Sequence, residues 1–132
     1  MKRIYVDVVA DLFHIGHVRL FKRAKNEGDY LLVGVHSDSI AQSYKRLPYI
    51  PEKQRYELVR SCRYVDEVIE GAPIIITKEF LDNHKIDLVI HGDDKSLHFK
   101  EQHAVPLEEG KMKYILYTLG VSTSDIIKKI RG

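Results

Sequence analysis

The chain has 132 residues, enough to bury the core of one domain but too few for a second, so we expect a single domain over residues 1–132. Its 21 basic and 19 acidic residues leave a net charge of +2, which gives no electrostatic reason to expect nucleic acid as a partner. A single cysteine, Cys62, excludes an intrachain disulfide and suits a reducing, cytoplasmic location, and no apolar run approaches the roughly 20 residues needed for membrane insertion.

Short β-branched runs alternate with helical patterns along the chain. The predicted strands cover residues 4–9, 30–35, 65–69, 86–90 and 114–116, and the predicted helices cover residues 16–26, 52–61, 77–84 and 123–130. Strands this continuously apolar are typical of sheets covered on both faces. The alternation predicts an α/β fold, a Rossmann-like parallel sheet of about five strands with helices on both faces. Ligands of such sheets bind at the carboxyl ends of the strands, where the strand order reverses.

The turn after the first predicted strand carries two histidines. His14 and His17 lie three residues apart with Gly16 between them, so both imidazoles can face a polyphosphate that the backbone approaches closely. The start of the following helix adds unpaired N–H groups and the positive end of a helix dipole. A lone histidine in this position would favour a surface or capping role. The paired spacing in a strand–turn–helix setting instead favours a phosphate site.

Four separated segments, taken together, resemble the cytidylyltransferase family of nucleotidyltransferases. They are residues 11–17, Lys45 in a proline-containing loop, residues 62–68 (Cys-Arg-Tyr-Val-Asp-Glu-Val) and residues 120–127 (Gly-Val-Ser-Thr-Ser-Asp-Ile-Ile). The phosphoethanolamine and phosphocholine enzymes of the family are the most similar, because the run from Arg63 through Ala72 and Pro73 to His91 and Gly92 reads like theirs. The resemblance covers nearly the whole chain and identifies it as a single nucleotidyltransferase domain.

The activity that the resemblance implies is transfer of a cytidylyl group from CTP to a small phospho-alcohol, with release of pyrophosphate. Phosphoethanolamine or phosphocholine is favoured over glycerol 3-phosphate as the acceptor. The attacking phosphomonoester is already charged near neutral pH, so no general base is required. A site of hydrogen-bond donors that positions the phosphates and stabilises their charge is sufficient.

The resemblance also assigns roles to individual residues. The catalytic positions are His14 and His17, which donate to phosphate oxygens, and Lys45, which reaches the α-phosphate. The nucleotide-binding positions are Val9, Ala10, Asp11, Gly16, Arg63, His91, Gly92, Asp94, Thr118, Gly120, Ser122 and Thr123. The substrate-binding positions are Asp7, Lys45 and Arg55.

Some of these positions have equally reasonable structural roles. Arg63 fits an ion pair with Asp66 or Glu67 as well as a contact with the triphosphate. Asp94 follows a strand, where a pair of acids commonly forms a turn and a helix cap. Ser122 is suited to cap the last predicted helix, and that role can coexist with phosphate binding.

Asp7 is unusual because it lies inside a predicted strand, where aspartate is disfavoured. It is therefore expected to have a partner. The resemblance places it near the cationic head group of a choline or ethanolamine acceptor. An ion pair with a lysine or arginine of the chain is the structural alternative.

The expected partners are CTP and a small phosphomonoester, and the resemblance implies a homodimer. Mg²⁺ is implied by the triphosphate rather than by any cluster of protein ligands, because it commonly binds through substrate oxygens and few carboxylates. Asp11 is a candidate contact for it.

Three residues depart from the family pattern. Val8 and Ala10 stand where family members usually have glycine and an aromatic residue, and Tyr117 replaces a phosphate-binding arginine. Loss of one charge-assisted contact costs about 2 kcal/mol unless another cation substitutes. Two alternatives are therefore retained, an adenylyltransferase of the same superfamily and a regulatory module that binds nucleotide without turnover. Residues 62–68 argue against the first.

Overall fold

The computed structural model describes residues 1–92, 99–115 and 122–132. The strands are β1 (Arg3–Val8), β2 (Tyr30–Val35), β3 (Glu67–Glu70), β4 (Leu88–Gly92) and β5 (Met112–Ile115). The helices are α1 (Ile15–Lys25), α2 (Asp38–Tyr44), α3 (Glu52–Arg60), α4 (Lys78–Asn83), α5 (Phe99–Gln102), α6 (Ala104–Glu108) and α7 (Thr123–Arg131).

All five strands form one parallel sheet in the order β3-β2-β1-β4-β5. The chain leaves the central strand β1 toward one edge, through β2 and β3, and then returns to the other side through β4 and β5. The strand order therefore reverses at β1. The sequence-based prediction of a Rossmann-like parallel sheet is confirmed.

Buried side chains cover both faces of the sheet. On one face Ile4 packs in a cluster with Phe21 of α1 and Val59 of α3. On the other face Tyr5 packs with Leu81 of α4. Successive residues of β1 thus contribute to opposite faces, as the period of two in a strand requires. This two-sided burial explains why the strands read as continuous apolar runs.

Close packing of β1 against β2 depends on Gly34. A Cβ atom at this position would lie 2.0 Å from Tyr5 Oη and 2.7 Å from Ala72 Cβ, closer than atoms can approach. The Tyr5 hydroxyl is buried and has no hydrogen-bond partner among the described residues. The space that glycine leaves is therefore occupied by the tip of the tyrosine ring.

The structure also differs from the predicted elements. Helices α2, α5 and α6 were not predicted. With four and five residues, α5 and α6 are too short to show a repeated apolar stripe, and α2 is mostly polar, with only Ala41 buried. Strands β3 and β4 begin two residues later than predicted, and β5 begins two residues earlier. Within the described ranges, each helix is too short or too polar to serve as a transmembrane span.

Candidate active site

A cavity of about 420 Å³ opens at the carboxyl ends of β1, β2 and β4, where the strand order reverses. It brings together most of the residues that the sequence singles out. Those that line it are Asp7, Val9, Ala10, Asp11, His14, Gly16, His17, Lys45, His91, Gly92, Ser122 and Thr123. It also has lining residues that were not singled out, among them His36, Tyr44, Arg46 and Asp125.

The two histidines of the turn form a reciprocal cap at the start of α1. The Nδ1 atom of His14 accepts the backbone N–H of Gly16 at 3.0 Å, and the Nδ1 atom of His17 accepts the backbone N–H of His14 at 3.1 Å. The two ring centroids are 4.0 Å apart. Because each Nδ1 acts as an acceptor, the proton of each neutral ring must be on Nε2.

Both imidazoles are neutral near pH 7. Burial lowers the pKa of His14. Burial, followed by the charges of His14 and Lys45, lowers the pKa of His17 to about 3. The site therefore presents two Nε2–H groups as fixed hydrogen-bond donors rather than as cations.

The turn that positions them contains left-handed backbone at two residues other than glycine. Ala10 has φ of 59° and Leu12 has φ of 50°. Such conformations cost roughly 1 kcal/mol or more per residue and persist only where the surroundings hold them. Ala10 has an exposed fraction of only 2%, so packing holds this part of the turn.

Asp11 fixes the loop that carries Lys45. Its carboxylate accepts the backbone N–H groups of Tyr49 and Ile50, each at 3.0 Å, and the guanidinium of Arg46 at 2.8 Å. Burial alone would raise the pKa of Asp11, but these contacts outweigh it and lower the pKa. Asp11 is thus already engaged with protein donors, which argues against the predicted Mg²⁺ contact at this residue.

The start of α7 meets the β1–α1 turn. The Thr123 hydroxyl donates to the backbone carbonyl of Asp11 at 2.8 Å and lies 3.3 Å from Nε2 of His14. Because its proton is used, the Thr123 oxygen can accept from the His14 ring. Ser122 caps the helix by accepting the N–H of Asp125 at 3.1 Å, as predicted.

Asp7 lies among histidines rather than beside a lysine or arginine. Its Oδ1 is 3.5 Å from Nδ1 of His91, and its Oδ2 is 3.7 Å from Nε2 of His36. Nδ1 of His36 is in turn 2.6 Å from the Tyr44 hydroxyl. Burial alone would raise the pKa of Asp7, but the contacts with the two histidines hold it well below its ordinary value. Asp7 is therefore a carboxylate at neutral pH.

Behind this group lies His103, which is fully buried between α5 and α6. The centroids of the His91 and His103 rings are 4.7 Å apart. Burial lowers the pKa of His103 to about 4, so this ring is also neutral.

Arg55 lies outside the cavity, in contrast to its predicted substrate-binding role. Its side chain is fully buried, and its guanidinium donates to the backbone carbonyls of Val9, His36 and Ile50 at 2.6 to 2.9 Å. It also donates to the Asp38 carboxylate at 2.7 Å. Arg55 therefore joins the ends of β1 and β2 to the Lys45 loop and acts as a positioning residue.

Arg63 is also absent from the cavity wall. It is exposed after α3, with its guanidinium carbon 5.4 Å from the centroid of the Tyr64 ring. The carboxylates considered as its partners are engaged elsewhere, since Asp66 pairs with Lys25 and Glu67 accepts from Tyr30. The remaining predicted positions, Asp94, Thr118 and Gly120, lie outside the described residues, as does Tyr117.

Sequence reasoning missed five residues of the site and its surroundings, namely His36, Tyr44, Arg46, His103 and Asp125. His36 had a usable signal, because it directly follows β2 at the carboxyl edge of the sheet. Arg46 adjoins Lys45 in a loop already singled out. His103 had no such signal, since only the folded chain brings its helix beside β4.

A family model described as cytidylyltransferase-like matches residues 6–129. The chain belongs to this family. Among similar members, the ethanolamine-phosphate cytidylyltransferase of Dictyostelium discoideum is 39% identical over 130 residues, covering 97% of this chain and 36% of that protein. The choline-phosphate cytidylyltransferase of Saccharomyces cerevisiae is 45% identical over 132 residues, covering 97% of this chain and 31% of that protein. The chain thus spans only about a third of the length of these cytidylyltransferases.

Two solved structures have a fold similar to that of this chain. The lipopolysaccharide core biosynthesis protein from Thermoplasma volcanium has a TM-score of 0.72 and 26% identity, covering 89% of this chain and 97% of that one. Pantothenate synthetase from Thermus thermophilus has a TM-score of 0.56 at 13% identity, covering 87% of this chain and 55% of that one. The second likeness concerns the fold alone.

Proposed function

We propose that this cytidylyltransferase-like chain transfers a cytidylyl group from CTP to a small amino-alcohol phosphate. An oxygen of the acceptor phosphate attacks the α-phosphorus, and the bond from that phosphorus to the bridging oxygen of pyrophosphate breaks. The observation that carries the proposal is the pair of neutral imidazoles at the start of α1, whose Nδ1 atoms are occupied by the cap. The Nε2–H group of His17 is left to serve the cavity, whereas that of His14 shares the cavity wall with the Thr123 hydroxyl 3.3 Å away.

The chemistry requires charge stabilisation rather than proton removal. Negative charge spreads over the α-phosphate and the leaving pyrophosphate as the bond breaks. His14 and His17 would donate to phosphate oxygens, and the Lys45 ammonium would neutralise part of the developing charge. The N–H groups at the starts of α1 and α7 add partial positive charge to the same cavity.

The preference for an amino-alcohol acceptor rests on Asp7. A buried carboxylate in the cavity wall favours a ligand that carries an ammonium group over a neutral diol. The relatives named for ethanolamine phosphate and choline phosphate agree with this preference. Phosphoethanolamine or phosphocholine is therefore proposed as the acceptor ahead of glycerol 3-phosphate.

A divalent cation, Mg²⁺, would enter with the triphosphate and neutralise its charge. Of the acidic residues of the cavity wall, Asp11 is engaged by Arg46 and backbone N–H groups, and Asp7 lies between histidines. Asp125 in the first turn of α7 is exposed and also lines the cavity. Asp125 would hold the cation together with the phosphate oxygens.

A homodimer and a cytoplasmic location belong to the same proposal. Strand β3, at one edge of the sheet, directly follows the segment that contains Arg63. A partner chain at this edge would bring Arg63 close to a second subunit. Sedimentation velocity measurements would give the oligomeric state.

The decisive experiment measures pyrophosphate release with CTP or ATP, each combined with phosphoethanolamine, phosphocholine or glycerol 3-phosphate. We expect release with CTP and an amino-alcohol phosphate. Release with ATP alone would instead support an adenylyltransferase. Binding of CTP without release under every combination would support the regulatory module. His84→Gln, a histidine substitution in the turn after α4, serves as the matched control and should leave the rate unchanged.

A further inference from the structure

The structure contains a second group of potential ligands beside the nucleotide cavity. Asp7, His91 and His103 each offer one atom, a carboxylate oxygen or an imidazole nitrogen, and these atoms all lie within 4.8 Å of one another. We propose that these three side chains bind a zinc-class transition metal ion. The inference concerns a site separate from the triphosphate cation and does not depend on the proposed function.

The three side chains form a buried site rather than a surface cluster. The exposed fractions are 4% for Asp7, 9% for His91 and 0% for His103. The Oδ1 atom of Asp7 is buried and makes no hydrogen bond among the described residues, because Nδ1 of His91, its nearest charge partner, is 3.5 Å away. A buried carboxylate oxygen with so long a contact is costly, and coordination to a metal ion would satisfy it.

A second layer of contacts orients the proposed ligands. The other carboxylate oxygen of Asp7 faces His36 at 3.7 Å, and Tyr44 holds the opposite nitrogen of that ring at 2.6 Å. Partners of this kind fix the orientation of metal ligands and raise their affinity. The site therefore has both candidate ligands and support for one of them.

The donor set selects the class of metal. Two imidazoles and one carboxylate suit Zn²⁺ and neighbouring transition metals, whereas Mg²⁺ prefers oxygen ligands alone. Asp7 and His91 also line the cavity, so an ion between them can take a further ligand from that side. Three protein ligands with one open position are the arrangement typical of accessible zinc sites.

One consequence connects this site with the acceptor. Zn²⁺ bound to Asp7 occupies the carboxylate that an ammonium group would otherwise contact. Zn²⁺ should therefore raise the KM for phosphoethanolamine and leave the KM for CTP unchanged. This consequence rests on the proposed function, whereas metal binding itself does not, so the two can fail separately.

The direct test is calorimetric titration of the chelator-treated chain with Zn²⁺. We expect one ion per chain, with affinity at least about 100-fold weaker in Asp7→Asn and His103→Gln, since even outer partners of metal ligands contribute 10- to 100-fold. His84→Gln, outside the cavity, is the matched control and should bind as the parent does. Thermal melting without metal checks that each variant folds.

The absorption spectrum of the Co²⁺-loaded parent chain provides a readout that needs no variant. Ligand-field bands of a site with nitrogen and oxygen ligands support the proposal, whereas a thiolate charge-transfer band would assign the ion to Cys62 and overturn it. Loss of Zn²⁺ binding in His17→Gln with retention in His103→Gln would move the ion to the pair at the start of α1. Absence of any stoichiometric binding by the parent chain would also overturn the proposal.

Discussion

His14 and His17 serve the fold with one ring nitrogen and the cavity with the other. Their Nδ1 atoms cap α1, and this contact holds each ring in one orientation. Substitution to alanine would remove the cap and the donor together. A test of the proposed chemistry therefore needs a substitution that separates the two contributions.

His17→Gln provides this separation. Glutamine at the third position of a helix can still accept the N–H of the capping residue, but it removes the imidazole donor. We expect turnover to fall roughly 100-fold or more, the scale for loss of one transition-state donor, with little change in melting temperature. Steady-state pyrophosphate release and a thermal melt measure the two effects. Near-normal turnover would place the chemistry elsewhere.

Asp7→Asn tests the acceptor preference at the level of a single residue. The change keeps the shape of the side chain but removes the charge that would attract an ammonium group. We expect kcat/KM for phosphoethanolamine and phosphocholine to fall by roughly 10-fold or more, as for loss of one charge-assisted contact, while the value for glycerol 3-phosphate changes little. Equal effects on all three acceptors would remove the amino-alcohol assignment.

Arg55→Lys tests the reassignment of Arg55 from substrate contact to positioning residue. Lysine cannot reach three carbonyls and a carboxylate at once, so buried acceptors lose their donors. We expect a loss of about 2 kcal/mol or more in the free energy of unfolding, measured by urea denaturation. Arg60→Lys is the matched control, because Arg60 pairs with Glu70 with both side chains about half exposed. If the Arg55→Lys chain were as stable as the parent but had a raised KM for the acceptor phosphate, Arg55 would be a substrate-binding residue after all.

At the scale of elements, the close packing of β1 against β2 leaves no room for a side-chain atom at Gly34. Gly34→Ala should destabilise the chain by about 1 to 3 kcal/mol, since the added methyl group collides with the Tyr5 ring and Ala72. Tyr5→Phe should be neutral or stabilising, because it removes a buried hydroxyl without a partner among the described residues.

The double variant completes this comparison. Removal of the hydroxyl relieves the closest contact, so Tyr5→Phe should recover part of the loss caused by Gly34→Ala. Urea denaturation of the four chains gives the coupling energy. Strict additivity would mean that the clash with Tyr5 Oη is not the source of the destabilisation.

The sequence predicted all five described strands and four of the seven described helices. Helices α1, α3, α4 and α7 were each predicted to within about two residues. The apolar periodicity of α1 and α3 reflects the faces that they bury, whereas α7 was indicated by its capping residue, Ser122. Helix α2 begins instead with a local Ser37 cap, a bond to the N–H of Ile40 at 3.1 Å, which one sequence cannot distinguish from a turn. Local sequence patterns alone therefore do not predict a helix of this kind.

At the scale of the whole molecule, the buried titratable groups predict how stability depends on pH. The folded-state pKa values of His17 and His103 are about 3 and about 4, below the ordinary value of 6.5. Between these folded-state values and pH 6.5 the unfolded chain therefore binds more protons than the folded chain. The contribution of the two histidines to stability is fully present above pH 6.5 and is lost as the pH falls. The pKa values of Asp7 and Asp11 are also lowered, so these two carboxylates cause a further loss of stability in more acidic solution.

Urea midpoints at pH 7.5, 5.5 and 4.5, with a chelator present, would test this expectation. The midpoint should decrease at each step toward acid. His17→Gln should show a shallower decrease, because one of the groups that must become protonated is gone. A midpoint that is constant from pH 7.5 to 4.5 would mean that the histidines titrate normally in the folded chain.

The candidate site was predictable where its residues share a motif and unpredictable where the fold assembles them. The turn from Asp11 to His17 carries its chemistry within seven residues. By contrast, His36, Arg55 and His103 acquire their roles through contacts with distant parts of the chain. Arg55 reaches Val9 across 46 residues of sequence, and no local pattern records that contact. Parallel sheets build their sites from such separated strand ends.

The anchoring of the Lys45 loop by Asp11 has a kinetic consequence. Since the backbone N–H groups of Tyr49 and Ile50 are bound to a buried carboxylate, this loop is ordered before any ligand arrives. Association then requires no folding of the loop around the nucleotide, and little conformational entropy is lost on binding. The two amides should exchange slowly with deuterated solvent in the free chain. Nucleotide entry should consequently be limited by diffusion into a cavity that is already formed.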